Sequence, residues 1–86
     1  MSIEDTLKER GKTHGDWLKQ SHLTSEIKNA INYRESYYEP MEACKKEALD
    51  MIAVKISRIV CGNSNEKDHW RDIQGYAKLA EGSCDD

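Results

Sequence analysis

Residues 47–60 spread apolar side chains around more of a helical circumference than a surface helix needs. No other stretch limits the fold as tightly. At helical pitch Ala48, Leu49, Ile52, Ala53, Ile56, Ile59 and Val60 fill one broad arc. Glu47, Asp50 and Arg58 project from the opposite side, with Lys55 at the border. Met51 and Val54 lie between those charges, where a simple amphipathic helix would carry polar residues. The pattern predicts a central helix contacted on most of its faces, with two carboxylates and two cations in partly enclosed surroundings. Burying an unpaired charge is costly, so such groups pair, bind metal or hold a charged ligand.

The rest of the chain must wrap that helix with little material. Its 86 residues allow one domain, and a chain of this length buries only ~60–65% of its unfolded surface. Hydrophobic residues make up 37% of the sequence, charged residues 34%, and Phe is absent. A core this thin predicts completion by self-association, hence a homo-oligomer. The net charge of −3 argues against binding a nucleic-acid polymer. It leaves room for a phosphate ligand, which needs only a local cluster of cations. Three cysteines, Cys44, Cys61 and Cys84, show no metal-ligand spacing and point to free thiols in a reducing compartment, with Cys44 a small core residue. Met1-Ser2-Ile3-Glu4-Asp5 does not read as a signal peptide. The longest apolar run, Met51 to Val54, is too short to cross a bilayer. A cytoplasmic protein without membrane contact is expected.

Local signals divide residues 1–82 into about four helices, followed by a frayed polar tail over 83–86. Ser2 caps a first helix that ends near Gly11, and Lys12 to Gly15 form a loop. Asp16 caps a second helix with a stripe of Leu23, Ile27, Ala30 and Ile31. Tyr37 to Pro40 is a connection, with Pro40 in the first turn of a third helix that Gly62 terminates in the left-handed conformation. A fourth helix spans about Glu66 to Glu81, with Trp70, Ile73, Ala77 and Ala80 inward and Gly75 marking the close approach of a neighbour. The fold class is all-α: a small helical bundle with a C-terminal antiparallel helical hairpin, since the loop from Gly62 to Asn65 lays helices three and four side by side.

The hairpin brings acidic groups toward one another. Glu47 and Asp50 share a face of helix three, while Asp68 and Asp72 sit one turn apart on helix four. Clustered carboxylates suit a hard cation such as magnesium, with Glu47, Asp50 and Asp72 as its ligands and Glu47 and Asp50 in the catalytic position. Lys55 and Arg58 are candidates to meet phosphate oxygens. His14 and Asp16, in a polar loop, and Tyr37, Tyr38 and Tyr76 complete the candidate ligand contacts, the aromatic faces serving to stack on a base. Plainer readings stand beside these. Asp50 can pair with Lys46, Asp68 and Asp72 can satisfy a helix dipole, Lys55 and Arg58 can be solvated, and Trp17 and Trp70 read as core anchors.

The blocks Glu47-Ala48-Leu49-Asp50-Met51-Ile52-Ala53-Val54-Lys55-Ile56-Ser57-Arg58-Ile59 and Asp68-His69-Trp70-Arg71-Asp72-Ile73-Gln74-Gly75-Tyr76-Ala77-Lys78-Leu79 resemble a phage-borne family of small all-α proteins without an assigned function. Arg10-Gly11-Lys12-Thr13-His14-Gly15-Asp16 looks like that family's opening motif. The family is in turn similar, more distantly, to MazG-type nucleoside triphosphate pyrophosphohydrolases. Those are helical oligomers that hold magnesium with paired acidic motifs and cleave between the α and β phosphates. Glu47-x-x-Asp50 matches one such pair. Glu39-x-x-Glu42 carries the letters of another, and Asp68 with Asp72 offers a substitute at different spacing. The resemblance implies a nucleotide-binding protein in the host cytoplasm, either a magnesium-dependent pyrophosphohydrolase or a non-catalytic sponge that sequesters an anti-phage defence nucleotide. A plain interaction module is the third reading.

Overall fold

The computed structural model describes residues 2–35 and 40–85, and every regular element among them is helical. The elements are α1 (Ile3–His14), α2 (Trp17–Asn32), α3 (Ala43–Cys61) and α4 (Lys67–Gly82). Ser2 caps α1 by accepting a hydrogen bond from the Asp5 amide at 3.1 Å, and Asp16 does the same for α2 through the Lys19 amide at 3.0 Å. The start of α3 differs from expectation. Pro40 lies outside the helix, which begins at Ala43 after Glu42. The Glu42 carboxylate makes no capping bond and instead holds Lys45 Nζ at 3.0 Å.

α3 is the central helix. It packs against α4 and α2 most extensively and against α1 as well. The face it shares with α2 is built from small and polar side chains. Thr24 Oγ1 donates to Ser57 Oγ at 2.7 Å, and Ser57, fully buried, donates to the Ala53 carbonyl at 3.1 Å. Ala53 and Ala48 are the buried apolar residues among those described. Small side chains let the helix axes approach, and the hydroxyl relay satisfies the polar atoms that this approach encloses.

Several side chains expected inside are outside. Trp17 and Trp70 are exposed, Trp70 donating from Nε1 to the Ser64 carbonyl at 2.8 Å. Cys44 is exposed too. The inward face of α4 runs through His69, Ile73, Tyr76 and Ala80, not through Trp70 and Ala77. On α3, Leu49, Ile56 and Val60 remain open to solvent, Val60 at 67% exposure, while Lys55 and Ser57 are buried. The physical reason is how narrowly the neighbours cover α3. Leu49, Ile56 and Val60 lie within about 40° of one another on the helical circumference, and the described helices leave that wedge partly open, Val60 most of all.

The end of α1 is where the sequence signals mislead most. Gly11 does not stop the helix, which continues to His14. Gly15, at φ +83°, makes the break, and its amide returns to the Gly11 carbonyl at 3.0 Å. A Cβ on Gly15 would collide with the Cys61 carbonyl, and one on Gly62 would collide with the carbonyl of Thr13. Gly62 has φ −118°, outside the left-handed region, so close backbone approach and not turn geometry is its reason for being glycine. Gly75 has open space where a Cβ would go, so no neighbour accounts for it.

These three glycines give opposite expectations. Gly15→Ala and Gly62→Ala should each lower the melting temperature markedly, because backbone must shift to admit the methyl. Gly75→Ala should raise stability by about 1 kcal/mol through helix propensity and unfolded-state entropy. Urea denaturation followed by circular dichroism reads all three.

Candidate functional site

The carbonyl of Thr13 sits in the last turn of α1, where helical carbonyls lack internal partners. It accepts two hydrogen bonds from the opposite end of the sequence, one from the Asn63 amide at 3.0 Å and one from His69 Nε2 at 2.9 Å. A carbonyl has no proton to give, so His69 carries its proton on Nε2. His69 is buried and meets the His14 ring edge-to-face with centroids 4.9 Å apart. His14 Nδ1 is in turn 2.5 Å from Thr13 Oγ1. This junction holds α1 against the turn between α3 and α4.

Beside the junction a groove of about 580 Å³ opens between α1, the start of α2 and the C-terminal half of α3. Leu7 and the exposed indole of Trp17 form apolar walls, while Arg10, His14, Asp16, Gln20 and Arg58 bring polar atoms to it. Arg58 Nε is buried and has no hydrogen-bond partner among the described residues. None of the ion pairs found among those residues involves Arg10 or Arg58. A buried donor without a partner costs about 1–3 kcal/mol, more when it belongs to a charged group. Asp16 contributes the one carboxylate of the lining, and its Oδ1 is occupied as the N-cap of α2.

His14 is held below its ordinary value of 6.5, first by burial and then by the positive charges of Arg58, His69, Lys55 and Arg10. It therefore favours the neutral form. Two of the cations that suppress its protonation, Arg10 and Arg58, line the same groove.

The structure distributes the sequence candidates unevenly. His14, Asp16 and Arg58 converge on the groove. Lys55 and Asp72 instead form an ion pair of 2.9 Å between α3 and α4, the lysine side chain 10% exposed and the carboxylate 48%. The Lys55 hydrogen bond holds Asp72 below the usual carboxylate range. Glu47 is exposed and Asp50 half-buried. Along α3 they precede Arg58 by about 16 and 12 Å respectively. Asp68 is exposed, 3.8 Å from Arg71. Among the described residues no three His, Cys, Asp or Glu side chains gather closely enough to hold a metal ion. Tyr76 is half-buried on the inward face of α4, away from the groove lining. Tyr37, Tyr38 and Glu39 lie outside the described residues.

Arg10 and Trp17, like Leu7 and Gln20, line the groove without having been assigned to it from sequence. Arg10 stands in the Arg10 to Asp16 motif, so the signal was present but not assigned a role. Trp17 was assigned to the core because a chain without Phe needs bulk. Its neighbours turned out to be Leu7 and Arg58 across an open groove.

Two outcomes follow. Asp72→Asn should lower the melting temperature because it strands a buried ammonium, and adding Lys55→Met should recover much of the loss. For His14 the folded chain resists a proton that the unfolded chain accepts. Its contribution to stability is thus complete above about pH 6.5 and is lost as pH falls through the depressed folded value. Urea midpoints between pH 7.5 and 5.5 should fall more steeply for the parent chain than for His14→Gln.

Comparison of the chain with protein-family models, with curated proteins and with solved structures finds no match to any of them. No helix among the described residues is long and apolar enough to cross a membrane.

Proposed function

We propose that this protein binds a phosphate-bearing nucleotide in the groove between α1, α2 and α3. The observation that carries this reading is two arginine side chains, Arg10 and Arg58, lining one groove, neither held by an ion pair among the described residues. Guanidinium groups suit phosphate because their planar donors match its oxygens in pairs. Trp17 presents an exposed ring at the same groove, where a base can stack. The volume of about 580 Å³ is that of a small-molecule site. Binding that returns the ligand intact needs no gathered carboxylates, so sequestration fits this groove better than magnesium-dependent pyrophosphate release.

Self-association belongs to the same reading. The chain exposes 6609 Å², against about 5,200 Å² for a compact monomer of its mass. Its radius of gyration is 14.7 Å, against about 12 Å for a compact domain of this length. The surplus exceeds the ~800 Å² that each partner contributes to a standard interface. The open stripe of Leu49, Ile56 and Val60 supplies the apolar patch, and a second copy of the chain is its occupant. Arg58 lies about 180° around α3 from Leu49. Docking on the stripe therefore leaves the groove free, with α3 and α4 forming an antiparallel pair in each copy.

A panel of nucleotides, cyclic dinucleotides included, read by melting temperature in EDTA and in magnesium tests the ligand. A partner at a hundred times its Kd should stabilise by about 2.7 kcal/mol. The shift should persist in EDTA and vanish in Arg58→Met, and ligand recovered after heat denaturation should be unchanged. Absence of any shift across the panel overturns the reading. Separately, Ile56→Glu should reduce the mass measured by light scattering to that of one chain, while a parent protein that is already monomeric at high concentration overturns the assembly.

A further inference from the structure

We infer that the groove is built for a single phosphate group, a nucleoside monophosphate or a phosphodiester, and not for a triphosphate. The inference rests on the nucleotide reading above and comes from a charge census of the surrounding helices. Two cations line the groove, Arg10 from α1 and Arg58 from α3. Asp16, at the start of α2, subtracts one charge. Two further cations on these helices are paired with carboxylates. Lys55 holds Asp72 at 2.9 Å, and Lys12 holds Glu9 at 3.3 Å. His14 is packed against His69 and bonded to Thr13, and its surroundings favour the neutral ring.

That leaves a net of about one positive charge, which matches a phosphodiester monoanion best and a monophosphate next. A triphosphate carries about four near neutral pH. In a partly enclosed site the excess has to be cancelled by extra cations or by a metal. The groove provides neither, since its one carboxylate already caps a helix and no three His, Cys, Asp or Glu side chains gather among the described residues. Geometry agrees with the count. Arg58 lines the groove from half-buried α3 and Arg10 from exposed α1 surface, so the two guanidiniums flank one compact anion. The apolar remainder of the groove, Leu7 and Trp17, is left to the nucleoside.

Isothermal titration calorimetry on the intact chain tests this, using the mono-, di- and triphosphates of each of the four common ribonucleosides, a 3′,5′-linked dinucleotide and inorganic phosphate. Each is measured in EDTA and in magnesium. For the preferred base, the monophosphate or the phosphodiester should bind at least tenfold more tightly than the triphosphate in EDTA, and magnesium should not reverse that order. Arg58→Met and Arg10→Gln should each weaken binding tenfold or more. Arg10 is exposed, so its variant keeps the test valid if Arg58→Met folds poorly. Trp17→Leu should weaken the nucleotide and spare inorganic phosphate. A triphosphate that binds as tightly as the monophosphate overturns the single-phosphate inference and leaves nucleotide binding standing. Failure of every nucleotide to bind overturns both.

Discussion

The doubly bonded carbonyl of Thr13 organises this protein. The end of α1 has acceptors that its own helix cannot satisfy, and the α3–α4 turn supplies both an amide and an imidazole donor to one of them. Two glycines make the approach possible, one by adopting positive φ and both by leaving out a Cβ where the backbones meet. The contact joins positions about fifty residues apart and fixes where α1 leaves the bundle. Because Arg10 and His14 lie on the last turns of α1, it also fixes where they stand relative to Arg58. The groove follows from a backbone junction, and its cations are neighbours because that junction closes.

The centre of the bundle is polar to an unusual degree for so small a protein. Lys55 is buried on α3 and survives there by pairing with a carboxylate that remains half in solvent, so the cost of losing the partner falls on the lysine. Ser57 and Thr24 fill the contact with α2 by hydrogen bonding instead of apolar volume. With so little apolar mass sealed inside, part of the hydrophobic surface of α3 stays outside, on the wedge of Leu49, Ile56 and Val60. One economy thus produces two features, a polar interior and an apolar exterior stripe on α3.

Much of the helical framework could be read from residues. The N-caps Ser2 and Asp16 act through local hydrogen bonds that depend only on nearby chain, and both are where the sequence places them. The central standing of α3 was legible in Met51 and Val54, which make sense only on a helix with neighbours on several sides. Misreadings came where tertiary contact outweighs local preference. Gly11 reads as a stop because glycine weakens a helix, yet docking of the following turn carries α1 through it. Trp17 and Trp70 read as anchors because they are large, yet the interior has room for alanine and serine and not for indole.

For the site, the sequence by itself determined the ingredients: two cations on α3, a histidine beside a glycine and a capping aspartate, and an arginine one turn earlier. It determined that α3 would be helical and enclosed, because the periodicity of its side chains is a property of the helix alone. Which cation faces the groove was decided only in three dimensions. Lys55 and Arg58 are three residues apart on one helix, yet α4 approaches the first with Asp72 while α1 leaves the second beside an open groove. Local spacing sets the direction in which a charge projects, but its countercharge comes from whichever helix packs there, and that is a property of the folded whole.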